Sequence, residues 1–350
     1  MQKIVLQDKR FMARALRLAL RGRGRVHPNP HVGAVLVKRG RVIGEGAHLF
    51  FGGPHAEVNA IRRARGNPEG GTLYVTLEPC VHFGKTPPCT ALILEMKIKK
   101  VVVAAKDPNP RVSGKGLRVL RRAGVEVLTG VMEQEALELN KDFNHWIRTK
   151  RPYVITKIAQ SLDGKTAAAA GQPKWITGET SRKFTHRLRA SCDAILVGVN
   201  TLLKDDPLLN VRWGNKKIQP ARIVLDSRLR CRPGARIFSK KSGRVILAVT
   251  KKAPKKKFRL FRQKAEVLIV KEKNGQVDLK ALLKILGQRR IVSILVEGGS
   301  TVLGSFFTEK LVQEAYFFIA PKIIGGKGAV VLKRTELVGL GEDWLIRGKL

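Results

Sequence analysis

The chain has 350 residues, 43% of them hydrophobic and 27% charged, which excludes a disordered chain and a single small module. Lys and Arg number 68 against 27 Asp and Glu, a formal net charge of +41, so attraction to polyanions at low ionic strength is expected. Aromatic residues make up only 6%, too few for a base-stacking platform, and no apolar run approaches the length needed to cross a bilayer.

The N-terminal stretch reads as an amphipathic helix from Asp8 to Arg21, with Phe11, Met12, Leu16 and Leu20 among its apolar positions. Arg14 and Arg17 interrupt it and argue against a secretory leader. The basic run Arg21-Gly22-Arg23-Gly24-Arg25 follows, and a second begins at Lys251, but Lys and Arg are also scattered through every surface segment. The basicity is therefore read as compositional drift, tolerated by an anionic substrate. No specific nucleic-acid partner and no membrane contact are expected.

His27-Pro28-Asn29-Pro30 precedes a strand, Val32 to Lys38, which Arg39-Gly40 turns into a second strand from Val42. On its own, Asn29 between two prolines is an ordinary loop breaker. Gly52-Gly53-Pro54 then leads into His55-Ala56-Glu57, a helix start that points His55 and Glu57 in one direction. Thr72 to Leu77 is a β-rich alternating run, placing Glu78-Pro79-Cys80 just past a strand end. Pro87-Pro88-Cys89-Thr90 opens another helix, whose amide dipoles favour a thiolate at Cys89.

His55, Cys80 and Cys89 form the ligand set of a catalytic zinc site, one Zn2+ per chain, with the fourth tetrahedral position left for water. Glu57, unbound to metal, is the expected proton carrier, since a Glu beside the ligand His moves the proton in zinc deaminases of nucleobases. The plainer reading, two buried thiols beside an unrelated His, does not account for the ordered His-x-Glu and Pro-Cys pattern. His82 as a fourth ligand would close the position that catalysis needs, so polar lining is its expected role. Cys192 and Cys231 remain as free buried thiols of a reducing cytoplasm.

A nucleic-acid or free-nucleoside deaminase normally has two residues between its cysteines, whereas VHFGKTPP lies between Cys80 and Cys89. That block, with Pro79-Cys80, His82, Gly84 and Thr86-Pro87-Pro88-Cys89, resembles the bifunctional pyrimidine deaminase and reductase of riboflavin biosynthesis. HPNPHVGAV resembles that family's first block, which implies that Asn29 holds the pyrimidine edge. Asn59 carries the same expectation with less behind it.

Strands are expected at Lys100 to Ala105 and Val125 to Leu128, with helices around Leu117 to Arg122 and Glu133 to Ile147. The alternation is that of a three-layer α/β/α domain, and the resemblance makes it cytidine-deaminase-like. Asp107-Pro108-Asn109-Pro110 and Gly114-Lys115-Gly116 match the family at a strand-to-helix edge. Thr149-Lys150-Arg151-Pro152 breaks the last helix, so the expected domains are 1–149 and 150–350.

The second half starts with a strand, Tyr153 to Ala159, and has no Gly-x-Gly-x-x-Gly after it, so a Rossmann site is not supported. Gly299, Ser300 and Thr301 follow an apolar strand, Ile291 to Val296, and open a helix whose free amides suit a cofactor phosphate. Trp175-Ile176-Thr177-Gly178, then Gly198, Thr201, Asp205, Pro207, Leu209 and Arg212, then Val296 to Ser300, resemble the same family's reductase half in order. The resemblance implies a dihydrofolate-reductase-like α/β domain using NADPH, with Ala159, Trp175, Thr201, Asp205 and Ser227 lining the cofactor. It implies substrate contacts from Lys157, Arg189, Leu209, Arg212 and Glu297. Of these, Arg189 and Arg212 suit the ribose phosphate, since a guanidinium fork matches phosphate oxygens, and Lys157 and Glu297 suit the reacting ribose carbon.

Pro173 occupies a substrate-contacting position where the family commonly has Ser, and EDWLIRGKL reads as a shortened last strand. The expected enzyme is cytoplasmic, a homo-oligomer, and acts on a phosphorylated aminopyrimidine. A nucleic-acid deaminase is the alternative that the charge suggests, opposed by the cysteine spacing and the whole second half.

Overall fold

The computed structural model describes residues 5–81, 87–110, 112–166, 176–213, 219–239, 243–325, 330–340 and 343–349. His82, Gly84, Thr86, Pro173 and Trp175 lie outside the described residues. Contacts divide the chain into two compact units, one running through Tyr153 and including Leu283–Ser293, the other Val154–Leu282 with Ile294 onward.

The first unit runs α1 (Leu6–Ala19), β1 (Gly33–Lys38), β2 (Arg41–Ala47), α2 (Ala56–Arg62), β3 (Thr72–Leu77), α3 (Cys89–Glu95), β4 (Lys100–Ala105), α4 (Lys115–Arg122), β5 (Glu126–Thr129), α5 (Glu133–Leu139) and α6 (Lys141–Thr149). Its sheet has the order β2-β1-β3-β4-β5, with β1 antiparallel to both neighbours and β3, β4 and β5 parallel. Strand alternation sends Val35 and Val37 to one face, against Phe11, Met12 and Ala15 of α1, and Ala34 and Leu36 to the other, against Ala56 and Ala60 of α2. The three layers expected from the sequence follow from two apolar faces needing two covers.

Glycines let α2 sit directly on the sheet. A Cβ on Gly44 would lie 2.2 Å from the Ala60 carbonyl oxygen, and one on Gly46 would lie 2.1 Å from that of Ala56. The helix that begins at His55 is thereby held at backbone contact with β2.

One helix expected over Glu133 to Ile147 is two, broken at Asn140. Asn140 is almost fully buried, and its side chain accepts from His31 N–H at 2.7 Å while donating to the His31 carbonyl at 2.9 Å. Two good bonds to a distant loop outweigh helix continuity at a residue with modest helix preference.

From Tyr153 onward the chain runs β6 (Tyr153–Ser161), α7 (Glu179–Ser191), β7 (Ala194–Gly198), α8 (Val199–Asp205), β8 (Ala221–Leu225), β9 (Val245–Val249), α9 (Lys255–Phe258), β10 (Glu266–Ile269), the short β11 (Glu272–Lys273) and β12 (Gln276–Val277), α10 (Leu279–Gln288), β13 (Ser293–Val296), α11 (Ser300–Thr308) and β14 (Glu314–Ala320), of which all but Leu283–Ser293 belongs, from Val154, to the second unit. Its seven-stranded sheet has the order β10-β9-β8-β7-β13-β6-β14. The pairings of β10 with β9, β9 with β8, β8 with β7, β7 with β13 and β6 with β14 are parallel. β7, β9 and β13 are buried along their whole length, as strands covered on both faces are. After the short β15 (Lys322–Ile323) and β16 (Val330–Val331), a hairpin of β17 (Lys333–Leu340) and β18 (Asp343–Lys349) follows, so the C-terminal stretch read as a shortened strand forms a seven-residue one.

Candidate functional sites

His55 caps the N-terminus of α2 in an extended conformation, and Cys89 is the first residue of α3. The loop after β3 carries Cys80 between them. His55 Nδ1 lies 3.2 Å from Cys89 Sγ and 3.6 Å from Cys80 Sγ, and the three donor atoms are within 4.8 Å of one another. A tetrahedral ion with Zn–N near 2.1 Å and Zn–S near 2.3 Å sets its N and S donors about 3.6 Å apart, so the cluster fits zinc. A hydrogen bond from the Cys89 side and another from His55 pull the Cys80 thiol down to about 4. Cys89 is raised by its bond to Cys80 and by burial, and His55 is raised by its bond to Cys80. Cys80 Sγ accepts the Cys89 backbone N–H at 3.4 Å, and Cys89 is fully buried beside Glu57. Thiol protons shared with an imidazole are what a divalent ion displaces on binding.

Glu57 sits in the first turn of α2, 3% exposed, and burial pushes its carboxyl above the usual range. A raised carboxyl suits a group that must both take and return a proton.

Asn29 lies beside this cluster through a histidine that sequence reasoning missed. Asn29 Nδ2 is 3.1 Å from His48 Nε2, His48 Nδ1 is 3.0 Å from the Pro54 carbonyl, and the His48 ring meets the His55 ring edge-on at 5.5 Å. The carbonyl only accepts, so His48 carries its proton on Nδ1 and accepts from Asn29 on Nε2. Burial lowers the His48 pKa and keeps that neutral form. Asn59 does not face the pocket with a free amide: its Nδ2 donates to Ala47 O at 2.9 Å and to Pro54 O at 3.3 Å, fastening the loop ahead of His55.

Glu78, also missed, is a buried carboxylate accepting from Gly114 N at 2.8 Å and Gly116 N at 2.9 Å. It ties the Cys80 loop to the start of α4, where charge and helix dipole agree. A Cβ on Gly116 would lie 2.2 Å from the Pro79 oxygen, so only glycine allows this approach. The Asp107-to-Gly116 loop that matched the family is thus fixed to the Cys80 loop.

In the second unit Arg189 of α7 forks onto Glu297, just after β13: Nε to Oε1 at 2.6 Å and Nη2 to Oε2 at 2.9 Å, with Nη1 3.3 Å from Asn210 O. The fork offered above to a substrate phosphate is engaged inside the protein. Burial alone would raise the Glu297 carboxyl, but Arg189, with Lys157 and His186, holds it low. Burial lowers Lys157 and Glu297 opposes it; the ammonium also lies 5.7 Å from the Phe318 ring centre. Arg212 is exposed, with Nη1 3.4 Å from Asn210 Oδ1. Leu209 does not line a substrate pocket with its side chain: it is 4% exposed and packs in the core with Ile195, Val224 and Phe238. His186, not singled out from sequence, accepts Arg212 N–H at 3.3 Å and faces Trp213 at 5.1 Å.

Four of the expected cofactor residues line one cavity of about 790 Å³: Thr201, Ser227, Gly299 and Thr301. Ala159 and Asp205 are not among its lining residues, and Ser300 is the exposed first residue of α11 beside it. The nine-residue α11 has no side chain capping its N-terminus, and Arg228, Arg230 and Lys273 also line the cavity. Free helix amides with nearby cations suit the phosphates of a dinucleotide. The three cations were invisible in sequence because Lys and Arg are everywhere in it.

Known proteins show the same division of the chain. Residues 6–105 match the family described as the cytidine and deoxycytidylate deaminase zinc-binding region, and residues 152–340 match the RibD C-terminal domain. Riboflavin biosynthesis protein RibD of Aquifex aeolicus is 46% identical, covering 97% of each chain, and that of Escherichia coli 43%, covering 91% of this chain and 89% of its own. The solved structure of Acinetobacter baumannii RibD superposes with a TM-score of 0.83 at 38% identity, covering 98% of both chains. A Thermotoga maritima structure described as a diaminohydroxyphosphoribosylaminopyrimidine deaminase/5-amino-6-(5-phosphoribosylamino)uracil reductase gives a TM-score of 0.82 at 38% identity and 97% coverage of both. With a zinc-binding deaminase region, an NADPH-using reductase region and full-length relatives of both, the chain belongs to the RibD family of bifunctional deaminase–reductases of riboflavin biosynthesis.

Proposed function

We propose that the first unit removes the 2-amino group of 2,5-diamino-6-(5-phosphoribosylamino)pyrimidin-4(3H)-one as ammonia and that the second reduces the ribosyl group of the product to ribityl. The observation that carries this reading is the convergence of His55, Cys80 and Cys89 on one point beside the buried Glu57. Zinc held by these three residues would supply the polarisation that lets a water lose its proton near neutral pH. Glu57 takes that proton on its carboxylate and returns it to the departing amine, for which its raised pKa is matched. Asn29, held in place by His48, offers its amide to the pyrimidine edge.

In the second unit NADPH supplies the hydride. Thr201, Ser227 and the first amides of α11 would hold the cofactor in the cavity, where Arg228, Arg230 and Lys273 supply positive charge suited to its phosphates. Lys157, whose lowered pKa eases proton release, stands within the field of Glu297 and donates toward the opened ribose. Arg189 acts by keeping Glu297 ionised, and Arg212, exposed beside it, is the better placed guanidinium for the substrate phosphate. Among the described residues no helix is long and apolar enough to cross a membrane, and we place the enzyme in the cytoplasm as a homo-oligomer without a specific nucleic-acid partner. Incubating the zinc-loaded protein with the diaminopyrimidine phosphate and NADPH tests the whole reading. Ammonia and a ribityl product identified by mass are expected, and an unchanged substrate would refute it.

A further inference from the structure

We propose that His27, His31 and Asp142 form a second transition-metal site in the first unit, separate from the cysteine cluster. One donor atom from each lies within 4.8 Å of the other two. His27 Nε2 is 3.1 Å from Asp142 Oδ2, and the rings of His27 and His31 meet edge-on with centres 5.4 Å apart.

An ion pair between His27 and Asp142 accounts for two of these side chains but not for the third. His31 is 5% exposed, and neither of its ring nitrogens has a hydrogen-bond partner among the described residues. A buried imidazole without partners is costly, and such groups are rare in folded proteins. The neighbouring Asn140 makes its two close bonds to the His31 backbone, with the His31 N–H at 2.7 Å and the His31 carbonyl at 2.9 Å, and none of that geometry to the ring.

The same contacts show that the site is held in shape. Asn140 breaks the α5–α6 helix and brings the first turn of α6, with Asp142, against the loop from His27 to His31. Asp142 Oδ1 accepts the Phe143 N–H at 2.8 Å, which orients the carboxylate and leaves Oδ2 toward His27. Supporting bonds of this kind set ligand orientation in metal sites. Two imidazoles and one carboxylate select a zinc-, cobalt- or nickel-like divalent ion over magnesium or calcium, which prefer oxygen throughout. A metal here clamps both ends of the loop that carries Asn29, and so steadies the pyrimidine-edge amide from outside the catalytic cluster.

The net charge makes the test clean, since 68 basic against 27 acidic residues leave little adventitious affinity for cations. Metal-free protein carrying Cys80→Ser and Cys89→Ser is titrated with Co2+ alone, and binding is followed by metal content, by the cobalt spectrum and by thermal melting. The proposal expects one Co2+ per chain, without thiolate-to-cobalt absorption, and a raised melting temperature. Adding His31→Phe or, separately, Asp142→Asn is expected to abolish both effects; two variants guard against one failing to fold. No Co2+ bound by the folded double-serine protein, or undiminished binding in either folded triple variant, overturns it.

Discussion

The two candidate sites are built from very different stretches of chain. The deaminase cluster draws its three metal ligands and Glu57 from 35 consecutive residues, His55 to Cys89, and gathers the ligands within 4.8 Å. The reductase groups are scattered from Lys157 to Thr301 and fall into two places, the buried Arg189–Glu297 pair with Lys157, and the cavity around α11. Zinc chemistry needs a few soft donors at one point, so residue type and spacing reveal it. Hydride transfer asks the protein mainly for orientation and fixed charge, which backbone amides and ordinary cations supply. The difference between the sites is one of chemistry before it is one of fold.

The strongest way to break the comparison is to remove one atom type from the compact site. Glu57→Gln keeps shape and zinc but removes the proton carrier, and deamination is expected to fall by about 10²–10⁴-fold. Metal analysis and ammonia release read both halves. NADPH oxidation is expected to persist when the deaminated intermediate is supplied, and Cys80→Ser is expected to behave likewise after melting shows it folded. A folded Cys80→Ser protein that lost both activities would mean interdependent sites.

The dispersed site fails differently, because its groups hold one another. Arg189→Ala strands Glu297, a carboxylate only 9% exposed at its side chain, and removing one partner of a buried ion pair costs about 3–5 kcal/mol. Thermal or urea unfolding is expected to show this loss, and adding Glu297→Gln to return part of it. A stability change below about 1 kcal/mol, as for a surface pair, would show that the contact is not the one described.

What the sequence disclosed follows the same division. Thr72–Leu77 and Lys100–Ala105 are strands at the bounds read from their apolar pattern, since a buried strand announces itself locally. The break at Asn140 was not legible, because its partner His31 is 109 residues away. His48 and Glu78 carry no motif; they matter through what the fold brings to them. The pairing of Arg189 with Glu297, 108 residues along the chain, was not legible for the same reason. Leu209 kept its place in the family pattern while its side chain went to the core.

A smaller effect separates the dispersed site by pH. Burial, then the charges of Arg189 and Arg212, bring His186 down from 6.5 to about 4, against the pull of Glu297. The unfolded imidazole takes its proton near pH 6.5 and the folded one only near pH 4, so the unfolded state binds more protons in that window. Stability of the second unit therefore declines on acidification from pH 6.5 to 4, by about 1–2 kcal/mol after allowance for solvent screening. Glu297, held low, contributes stability above the ordinary carboxylate range that is lost only at lower pH, as acid reaches its folded pKa. Denaturation series at several pH values should show His186→Gln flattening the upper window alone; an unchanged slope would remove His186 from the account.

The smallest expected effect concerns the cations that the sequence hid. Of the three lining the cofactor cavity, Arg230 is held by Asn200 at 2.8 Å and Lys273 by Glu309 at 2.9 Å, whereas Arg228 is exposed and makes no bond to any of the described residues. A guanidinium with no bond to the described residues, lining the proposed cofactor cavity, is available to meet a phosphate. One exposed charge contact contributes about 1 kcal/mol, so Arg228→Ala should raise the KM for NADPH about five-fold and leave kcat nearly unchanged. The effect should shrink as salt is added, because exposed charges are screened over about 10 Å at 0.1 M. Lys256→Ala supplies the control, an equal change of net charge on a groove formed with Phe258 and Arg262 that shares no lining residue with the cofactor cavity. If the two variants raised KM equally, the diffuse field of a +41 chain would be steering the cofactor, and position would not distinguish Arg228 from the other 67 basic residues. If only Arg228→Ala did so, a site invisible in composition would have been located by geometry alone.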